Sequence, residues 1–319
     1  MNKDAIPLEV RRHQLVASVR HQLGQNVLVG ISGGADSTAL LILCCAIASQ
    51  QSSTLRVVAG HINHGIRQES DQEQALVEST CEKLGVPCFT KKITVEPIDG
   101  SLAAGARKGR YDALAEIALA QQLTTLAIAH HATDQLETML MALCRGGGPR
   151  KLAGMAASRP LNASLTVRRP LLHADRAELQ HICSCCNIPW CDDPTNNDLA
   201  TPRGTLRQDV LPKLRELWPA ADVHAANASL MLQAAADALD AQTNEASSKS
   251  RWERHTLAAF SDPIVAAILH RVIGERASFK TIRSIASAIT DHSTNPKVFT
   301  CAADCVVHVT AHEVWVDQA

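Results

Sequence analysis

The loop Gly30–Ser37 (Gly-Ile-Ser-Gly-Gly-Ala-Asp-Ser) places small, hydroxyl-bearing and acidic side chains next to one another. An apolar, β-branched run precedes it at 27–31 and a longer apolar run follows at 37–47, which predicts a strand, a tight turn and a helix. Adjacent glycines let the backbone approach a ligand closely, and serine hydroxyls and the free N–H groups of a helix start donate hydrogen bonds. Such a loop is typical of a phosphate site. Asp36 fits there if a divalent cation lies between carboxylate and phosphate, or if it caps the helix.

The loop is neither of two common nucleotide motifs, because G-x-x-x-x-G-K-S/T and G-x-G-x-x-G are both absent. Ser32–Ser37 instead resembles the S-G-G-x-D-S loop of the N-type ATP pyrophosphatases, the PP-loop family. In that family the loop holds the β- and γ-phosphates of ATP while a substrate oxygen attacks the α-phosphate. The resemblance implies magnesium at Asp36 and ATP at Ser32, Gly33, Gly34, Ala35, Asp36 and Ser37. On the glycine pair alone, an ordinary strand-to-helix turn would be the better interpretation.

Composition indicates a globular protein with its thiols free. The 319 residues, 46% hydrophobic and 20% charged, suggest about two domains. The formal net charge is -1, so any contact with nucleic acid must come from a local basic patch. The eleven cysteines follow no regular spacing, the first residues lack an apolar signal segment, and no run is apolar enough to span a membrane. These features predict a cytoplasmic protein without membrane contact.

Strand and helix patterns alternate through the first half of the chain. After the strand at 27–31, further strands are predicted at Leu55–His61, Cys88–Val95 and Thr125–His130. Helices are predicted between and after them, at Glu69–Leu84, Ser101–Leu123 and Thr133–Cys144. This order predicts an α/β fold with a doubly wound parallel sheet, and the resemblance implies the adenine nucleotide alpha hydrolase-like form. Ligands of such sheets gather at the carboxyl ends of the strands, where the sequence places His61, His64, His130, His131 and Asp134.

The pattern changes near residue 217. Residues 1–216 form the predicted PP-loop catalytic domain, which includes a covering helix at Leu8–Leu23, an irregular basic stretch after Arg145, and a helix at Ala174–Asn187. Residues 217–319 form the predicted second domain, a connector helix at Ala220–Thr243 followed by a small α+β module. Its helices are predicted at Trp252–Phe260, Pro263–Gly274 and Phe279–Asp291, and its strands at Val298–Cys301, Cys305–Val309 and Glu313–Val316.

Further segments of the first domain indicate which of the families that share this loop the chain resembles. They are His61-Ile-Asn-His-Gly-Ile-Arg67, Ala106-Arg-Lys-Gly-Arg-Tyr111, Ala129-His-His-Ala-Thr-Asp-Gln-Leu-Glu-Thr138, Leu143-Cys-Arg-Gly-Gly-Gly148, Leu152-Ala-Gly-Met155, Arg169-Pro-Leu-Leu172, Asp193-Pro-Thr-Asn196 and Arg203-Gly-Thr-Leu-Arg207. In type and order they resemble the motifs of the tRNA(Ile)-lysidine synthetases, and no motif covers the second domain. Two positions depart from the family pattern, since Ala103 stands where Glu is frequent and Gly204 where Asn is frequent.

The resemblance implies a reaction in two steps. ATP adenylates the C2 oxygen of the wobble cytidine in a CAU-anticodon tRNA(Ile), and the ε-amino group of free L-lysine then displaces AMP. A pyrimidine C2 oxygen leaves poorly, so it must first become a phosphate ester. The site must therefore neutralise polyphosphate, bind an ammonium group and remove a proton from it. The second domain is expected to contribute to tRNA binding, and the oligomeric state is left open between a monomer and a homodimer.

The same resemblance assigns the site residues. The catalytic set is Asp36, Arg107, Asp134, Glu137 and Arg203; His61 and His130 join the loop in binding ATP; and lysine, cytidine or tRNA meets Arg110, His131, Asp134, Glu137, Arg145 and Arg207. Asp134 and Glu137 stand at i and i+3, so both carboxylates could clasp lysine's ammonium, or they could simply be an acidic first helical turn. The arginine pairs 107/110 and 203/207 could equally be solvated or salt-bridged surface groups.

Other interpretations remain open at this stage. Cys183-Ser-Cys-Cys186, with Cys191 nearby, could take part in sulfur transfer as in related tRNA thiolases, although helical spacing favours buried small hydrophobes. The histidine pairs 61/64 and 130/131 could suggest zinc, but adjacent residues at a strand end point to opposite sides. The basic residues between Arg145 and Arg176 could track RNA phosphates. The competing functions are a tRNA thiolase or amidating ligase, and a non-catalytic nucleotide- or RNA-binding protein.

Overall fold

The computed structural model describes residues 2–65, 70–98, 100–191, 201–291 and 293–318. The chain forms two compact units: the first comprises residues 1–145 and 151–230, and the second comprises residues 146–150 and 231–319. The division lies within the long helix Ala221–Ser247. The predicted boundary between functional domains, at 216/217, lies just before that helix and stays a prediction.

The first unit is built on a six-stranded sheet with the order β3-β2-β1-β4-β6-β5. Its strands are β1 (Asn26–Gly30), β2 (Arg56–Asn63), β3 (Cys88–Lys92), β4 (Thr125–Ala127), β5 (Ser158–Pro160) and β6 (Thr166–Arg168). All neighbours are parallel except the β5–β6 pair. The predicted α/β fold with a mostly parallel sheet is therefore confirmed. Because β1 pairs with both β2 and β4, the loops that follow these three strands lie at one edge of the sheet.

Helices cover both faces of this sheet. The helices up to residue 247 are α1 (Leu8–Arg11), α2 (Gln14–Gln22), α3 (Ala35–Ala48), α4 (Ser70–Leu84), α5 (Leu102–Ala120), α6 (Ala132–Cys144), α7 (Pro149–Leu152), α8 (Arg176–Cys185), α9 (Pro202–Thr205), a π-helical turn (Leu206–Val210), α10 (Leu211–Leu217) and α11 (Ala221–Ser247). Val27 and Val29 of β1 pack with α2, α3, α4 and α8, whereas Leu28 packs with α5 on the other face. The nearly uniform apolar sequence of α3 reflects its burial on almost every side.

Four predictions for this unit were wrong in detail, and one of them is the strand predicted at Cys88–Val95, which ends at Lys92. The stretch after Arg145 is not irregular throughout, because β5 and β6 form a hairpin that extends the sheet. Each of these strands has three residues, too few to show alternation, and Pro160 suits the sheet edge that β5 occupies. The predicted helix Leu8–Leu23 is two helices, because His13 caps α2 by accepting from the N–H of Leu15. β4 ends at Ala127, which leaves the predicted residues up to His130 in a loop.

The second unit contains an antiparallel four-stranded sheet with the order β7-β10-β9-β8. Its strands are β7 (Arg251–Glu253), β8 (Lys297–Ala302), β9 (Cys305–Val309) and β10 (Glu313–Gln318), and its helices are α12 (Arg254–Ala258), α13 (Asp262–Ile273) and α14 (Phe279–Thr290). The helix predicted from Trp252 begins later, because Trp252 pairs with Val314 in the sheet and its side chain is buried. Buried Arg254 binds the carbonyls of Ala288 and Ile289, which ties α12 to the end of α14. Across the described residues, no helix has both the length and the apolarity to cross a membrane.

Candidate active site

The loop between β1 and α3 is held by the two serines at its ends. Ser37 Oγ donates to the carbonyl of Gly34 (3.0 Å) and accepts from the N–H of Ser32 (3.1 Å). The hydroxyl oxygens of the two serines lie 3.1 Å apart. Gly33 has φ +90°, a conformation that residues with a side chain rarely adopt. The serine and glycine types thus fix a tight turn directly before α3.

The first turn of α3 combines free donors with an unsatisfied acceptor. Gly34 is the N-cap and offers no side chain to the N–H groups of this turn, so the partial positive charge of the helix start is left for an anion. Asp36 lies in the same turn, and its buried Oδ1 has no hydrogen-bond partner among the described residues. A buried carboxylate oxygen without a partner is costly, and a cation bound there would satisfy it. The donor set of one carboxylate beside a phosphate-binding turn fits Mg²⁺.

His131 connects Asp36 with the start of α6. Its Nε2 lies 3.5 Å from Oδ2 of Asp36 and 3.6 Å from Oδ2 of Asp134. Its Nδ1 accepts from the N–H of Thr133 (3.3 Å), and its own N–H donates to Asp134 (3.1 Å), which completes a capping box. Burial lowers the pKa of His131, but the hydrogen bond to Asp36 and the charge of Asp134 outweigh it, so the pKa is above its usual value. Burial raises the pKa of Asp134, but His131 and His130 bring it below its usual value.

Glu137 is fully buried and is bound by two arginines. Arg203 Nε donates to its Oε2 at 2.7 Å, and Arg207 Nε donates to its Oε1 at 2.7 Å. Arg207 also reaches Oδ1 of Asp134 at 3.3 Å. The structure therefore brings these four predicted site residues together, but positive charge from Arg203 and Arg207 already occupies the position predicted for lysine's ammonium. Arg207 lies in the π-helical turn, a geometry that occurs frequently at functional sites.

Two further histidines of the predicted ATP site are neutral at ordinary pH. His61 lies at the end of β2, and its Nδ1 is 3.0 Å from the carbonyl of Ile31, so this nitrogen carries the proton. Burial lowers the pKa of His61, and its Nε2 has no partner among the described residues. His130 Nδ1 accepts from Arg169 Nε (3.2 Å). Burial and the nearby arginine charges lower the pKa of His130 to about 3.

The two predicted arginines of α5 lie against Tyr111. The guanidinium carbons of Arg107 and Arg110 are 5.4 Å and 5.8 Å from the centre of its ring, and that of Arg159 is 5.0 Å away. The charges of Arg107 and Arg110 are among the causes that lower the pKa of His130. The sequence alone placed Arg159 in a general basic stretch, and it placed Arg169 both in that stretch and in a family motif. The signal for Arg169 was its position in Arg169-Pro-Leu-Leu172.

Arg145 is not brought to this edge. It follows the C-terminal end of α6 and is exposed, whereas His131 caps the N-terminal end of the same helix. Thirteen helical residues separate the two ends, a rise of about 20 Å.

Some predicted features lie partly or wholly outside the described residues. Asp193-Pro-Thr-Asn196 is one of them, and Arg67 at the end of the His61 segment is another. Cys191 lies beside the loop, because its N–H donates to the carbonyl of Gly33 (2.9 Å). Cys183 and Cys186 lie in the buried core around α3 and α8. Burial raises the pKa of Cys183 to about 12 and that of Cys186 to about 11.

The model of the PP-loop domain family matches residues 7–214, most of the first unit. The chain belongs to the PP-loop family. The predicted resemblance to this family is thereby confirmed, and membership of a PP-loop family of ATP pyrophosphatases implies the use of ATP.

Curated relatives within this family carry a more specific name. The tRNA(Ile)-lysidine synthase of Pseudomonas aeruginosa is 37% identical over 236 residues, which cover 74% of this chain and 52% of that protein. The tRNA(Ile)-lysidine synthase of Xanthomonas axonopodis pv. citri is 39% identical over 212 residues, 66% of this chain and 47% of that protein. The chain thus spans about half the length of the curated relatives it matches.

A solved PP-loop structure supports the fold. A U34-tRNA thiolase from Methanococcus maripaludis, determined with its 4Fe–4S cluster, superposes with a TM-score of 0.57. It shares 17% sequence identity and covers 69% of this chain and 78% of that one. At this identity the similarity concerns the fold alone.

Proposed function

We propose that this chain is a tRNA(Ile)-lysidine synthase. An adenylyl group passes from ATP to the C2 oxygen of the wobble cytidine in the CAU anticodon of tRNA(Ile), and pyrophosphate leaves. The ε-amino nitrogen of free L-lysine then attacks C2, the C2–O bond breaks, and AMP departs with that oxygen. The resulting lysidine pairs with A instead of G, so decoding changes from AUG to AUA and tRNA identity from Met to Ile.

The proposal rests on one arrangement of three residues. His131 lies between Asp36, in the first turn of α3, and Asp134, in the first turn of α6, and its Nε2 is within 3.6 Å of both carboxylates. The two carboxylates serve different needs of one reaction. Asp36 stands where polyphosphate would be bound, and Asp134 stands where an incoming amine would be bound. The names of the relatives at 37% and 39% identity support the choice of amine and RNA.

Asp36 is proposed to hold the magnesium ion, because its buried Oδ1 has no partner among the described residues. When bound, the ion would neutralise phosphate charge. The turn Ser32–Ser37 receives the β- and γ-phosphates on its N–H groups, and His61 and His130 line the nucleotide side as neutral groups. Neutral histidines there add no charge that would compete with the metal.

The lysine site is proposed to include Asp134 and Glu137. Their hydrogen bonds and exposure give the two carboxylates different roles. Glu137 has both oxygens bonded to Arg203 and Arg207, so its first task is to position these arginines. Asp134, with 15% of its side chain exposed, is the carboxylate that an ammonium group can reach. Arg203 is 40% exposed and would stabilise the departing AMP with the part of its guanidinium turned from Glu137.

The test is direct incorporation of lysine into RNA. Radiolabelled lysine, ATP, Mg²⁺ and a transcript of tRNA(Ile) with the CAU anticodon are incubated with the protein, and label in the RNA is measured. Incorporation that needs all components, with AMP and pyrophosphate in equal amounts, is expected. A thiolated or amidated product without lysine would mean that a related PP-loop enzyme is the correct assignment. ATP binding without turnover on any of these tRNA substrates would indicate a non-catalytic binding protein.

Asp36→Asn is the matching active-site variant, since it keeps the shape but removes the charge that holds the metal. Pyrophosphate release is expected to fall by at least about a hundredfold. Asp112→Asn serves as the control, because Asp112 forms an exposed pair with Lys108 on the outer face of α5. The proposed reaction on tRNA also agrees with the cytoplasmic location predicted from composition.

A further inference from the structure

Four arginines converge on one buried aromatic ring, Tyr111, from three separate parts of the first unit. Arg107 and Arg110 come from α5, Arg159 comes from β5, and Arg169 follows β6. Three guanidinium carbons lie 5.0 Å to 5.8 Å from the ring centre. Arg169 is buried, donates to the carbonyl of Ala156 (2.7 Å), and stands close enough for its charge to act on Tyr111. We name this set the Tyr111 arginine cluster.

The cluster has no counter-charge in the described part of the chain. None of its four arginines forms an ion pair with a described carboxylate, whereas Arg203, Arg207 and Arg215 each do. Arg110 makes no described hydrogen bond, and its buried Nε has no partner among the described residues. Burial lowers the pKa of Arg110, and the charge of Arg107 lowers it further against the effect of Tyr111.

Such an arrangement opposes folding. Cations that share a partly buried volume repel one another, and burial without a partner removes their hydration. The field is strong enough to bring the pKa of Tyr111 below its usual value, although burial alone would raise it. Cation–π contact with the ring offsets only part of the repulsion. A conflict of this kind at the ligand-binding edge of a sheet is expected where a bound anion completes the structure.

We propose that the Tyr111 arginine cluster is a binding site for phosphodiester groups of RNA, separate from the site for the triphosphate of ATP. The triphosphate has its own proposed site at the first turn of α3, which has free N–H donors and Asp36 for a metal. The cluster lacks a described carboxylate that could hold such a metal. Planar guanidinium groups bind phosphate in pairs of parallel hydrogen bonds, and phosphodiesters need no metal. The proposal rests on the proposed function, because it takes tRNA as the substrate.

Arg169 links this site to the nucleotide side. Its Nε–H bonds His130 Nδ1, which fixes the imidazole as the tautomer with its proton on Nε2. Arg169 would thus contact RNA phosphate on one side and the predicted ATP ligand His130 on the other. Through this bond, the cluster would hold the RNA beside the proposed nucleotide site.

The experiment measures binding of tRNA(Ile) transcript with the CAU anticodon, without ATP, between 50 and 200 mM KCl. Arg159→Gln is expected to weaken binding about tenfold at the lower salt concentration. The slope of log Kd against log salt should fall by about 0.7–0.9, the release of counterions from one phosphate. Arg159→Lys should keep most of the slope, because it keeps the charge. Lys108→Gln is the control, since Lys108 lies on the same helix as Arg107 but pairs with Asp112 in solvent.

Each outcome decides between the proposals. Wild-type slope and affinity in Arg159→Gln, and in Arg107→Gln as a second and exposed variant, would overturn the phosphodiester site and leave the proposed function intact. A raised Kd for ATP with unchanged tRNA binding would overturn it as well, because the cluster would then serve the nucleotide. No tRNA binding by the unsubstituted chain would overturn both. Thermal unfolding of Arg159→Gln should occur at the same temperature as wild type or higher, since repulsion is relieved.

Discussion

Nε2 of His131 lies 3.5 Å from Oδ2 of Asp36, although the two residues are 95 positions apart in the chain. The carboxylates of Asp36 and Asp134 raise the pKa of His131 above its usual value, against the effect of burial. Protonation at Nδ1 opposes this effect, because it breaks the bond accepted from the N–H of Thr133. His131 can therefore be protonated and attracted to both carboxylates, or neutral and able to cap α6 through the N–H of Thr133.

This balance predicts a pH dependence with a definite sign. A folded-state pKa above the unfolded one gives stability that is complete below about pH 6.5 and is lost as pH rises through the folded value. The difference in unfolding free energy between wild type and His131→Gln should therefore be larger at pH 5.5 than at pH 8.5. NMR titration of the His131 ring gives its pKa directly, and Asp36→Asn should lower it. An unshifted pKa in wild type would mean that the cap at Thr133 dominates.

The contacts of Glu137 predict a loss of stability on substitution. Glu137→Gln removes the charge that two arginines share and directs an amide NH₂ towards their donors. Breaking a buried ion pair from one side costs about 3–5 kcal/mol, and the exposure of Arg203 puts the expected loss near the lower value. Urea unfolding measures it. Glu116→Gln is the control, because Glu116 pairs with Lys91 in an exposed position worth at most about 1 kcal/mol.

Kinetics of the same variant test the lysine site. If Glu137 positions the arginines beside the ammonium, Glu137→Gln should raise KM for lysine more than KM for ATP. Equal changes in both constants would reject the ammonium site and leave Glu137 with a structural task only.

The sequence predicted which residues lie at the carboxyl edge of the sheet better than it predicted which side chains they bind. Asp36, His131 and Asp134 could be expected to meet, because they follow or approach the ends of β1 and β4, and these strands are neighbours in a parallel sheet. The pairing of Glu137 with Arg203 and Arg207 could not, because helical spacing says which face a residue occupies but not which distant segment covers it.

Short strands were the second feature that could not be predicted from the sequence. β5 and β6 have three residues each, so no hydrophobic period could reveal them, yet their hairpin carries Arg159 to Tyr111. Arg169 was visible as part of a motif and of a basic stretch, but its bond to His130 depends on the register of β6 beside β4. The sequence pattern therefore missed the residues whose contacts depend on how distant segments pack together.

Two adjacent glycines predict different results for folding and ligand binding. Gly33→Ala forces an alanine to φ +90° and should cost about 1–2 kcal/mol, although the nearest atom to the new Cβ is at an ordinary 3.5 Å. Gly34→Ala meets no such strain, because φ is -75° and the nearest atom is 3.6 Å away. Thermal unfolding should therefore separate the two variants. Calorimetry with ATP should show weaker binding in both, and unchanged affinity in Gly34→Ala would mean that phosphate does not approach this backbone closely.

The cysteines give a prediction that separates lysine transfer from sulfur chemistry. A thiol acts as a nucleophile or cluster ligand only as thiolate, and burial raises the pKa of Cys183 to about 12 and of Cys186 to about 11. Cys191 meets the loop through its backbone N–H, a contact that alanine keeps. Alanine at all three positions should leave lysine incorporation within about threefold of wild type, with stability lowered by about 1 kcal/mol for each buried thiol. Loss of incorporation in a triple variant whose circular dichroism spectrum stays native would show that a thiol takes part in the reaction.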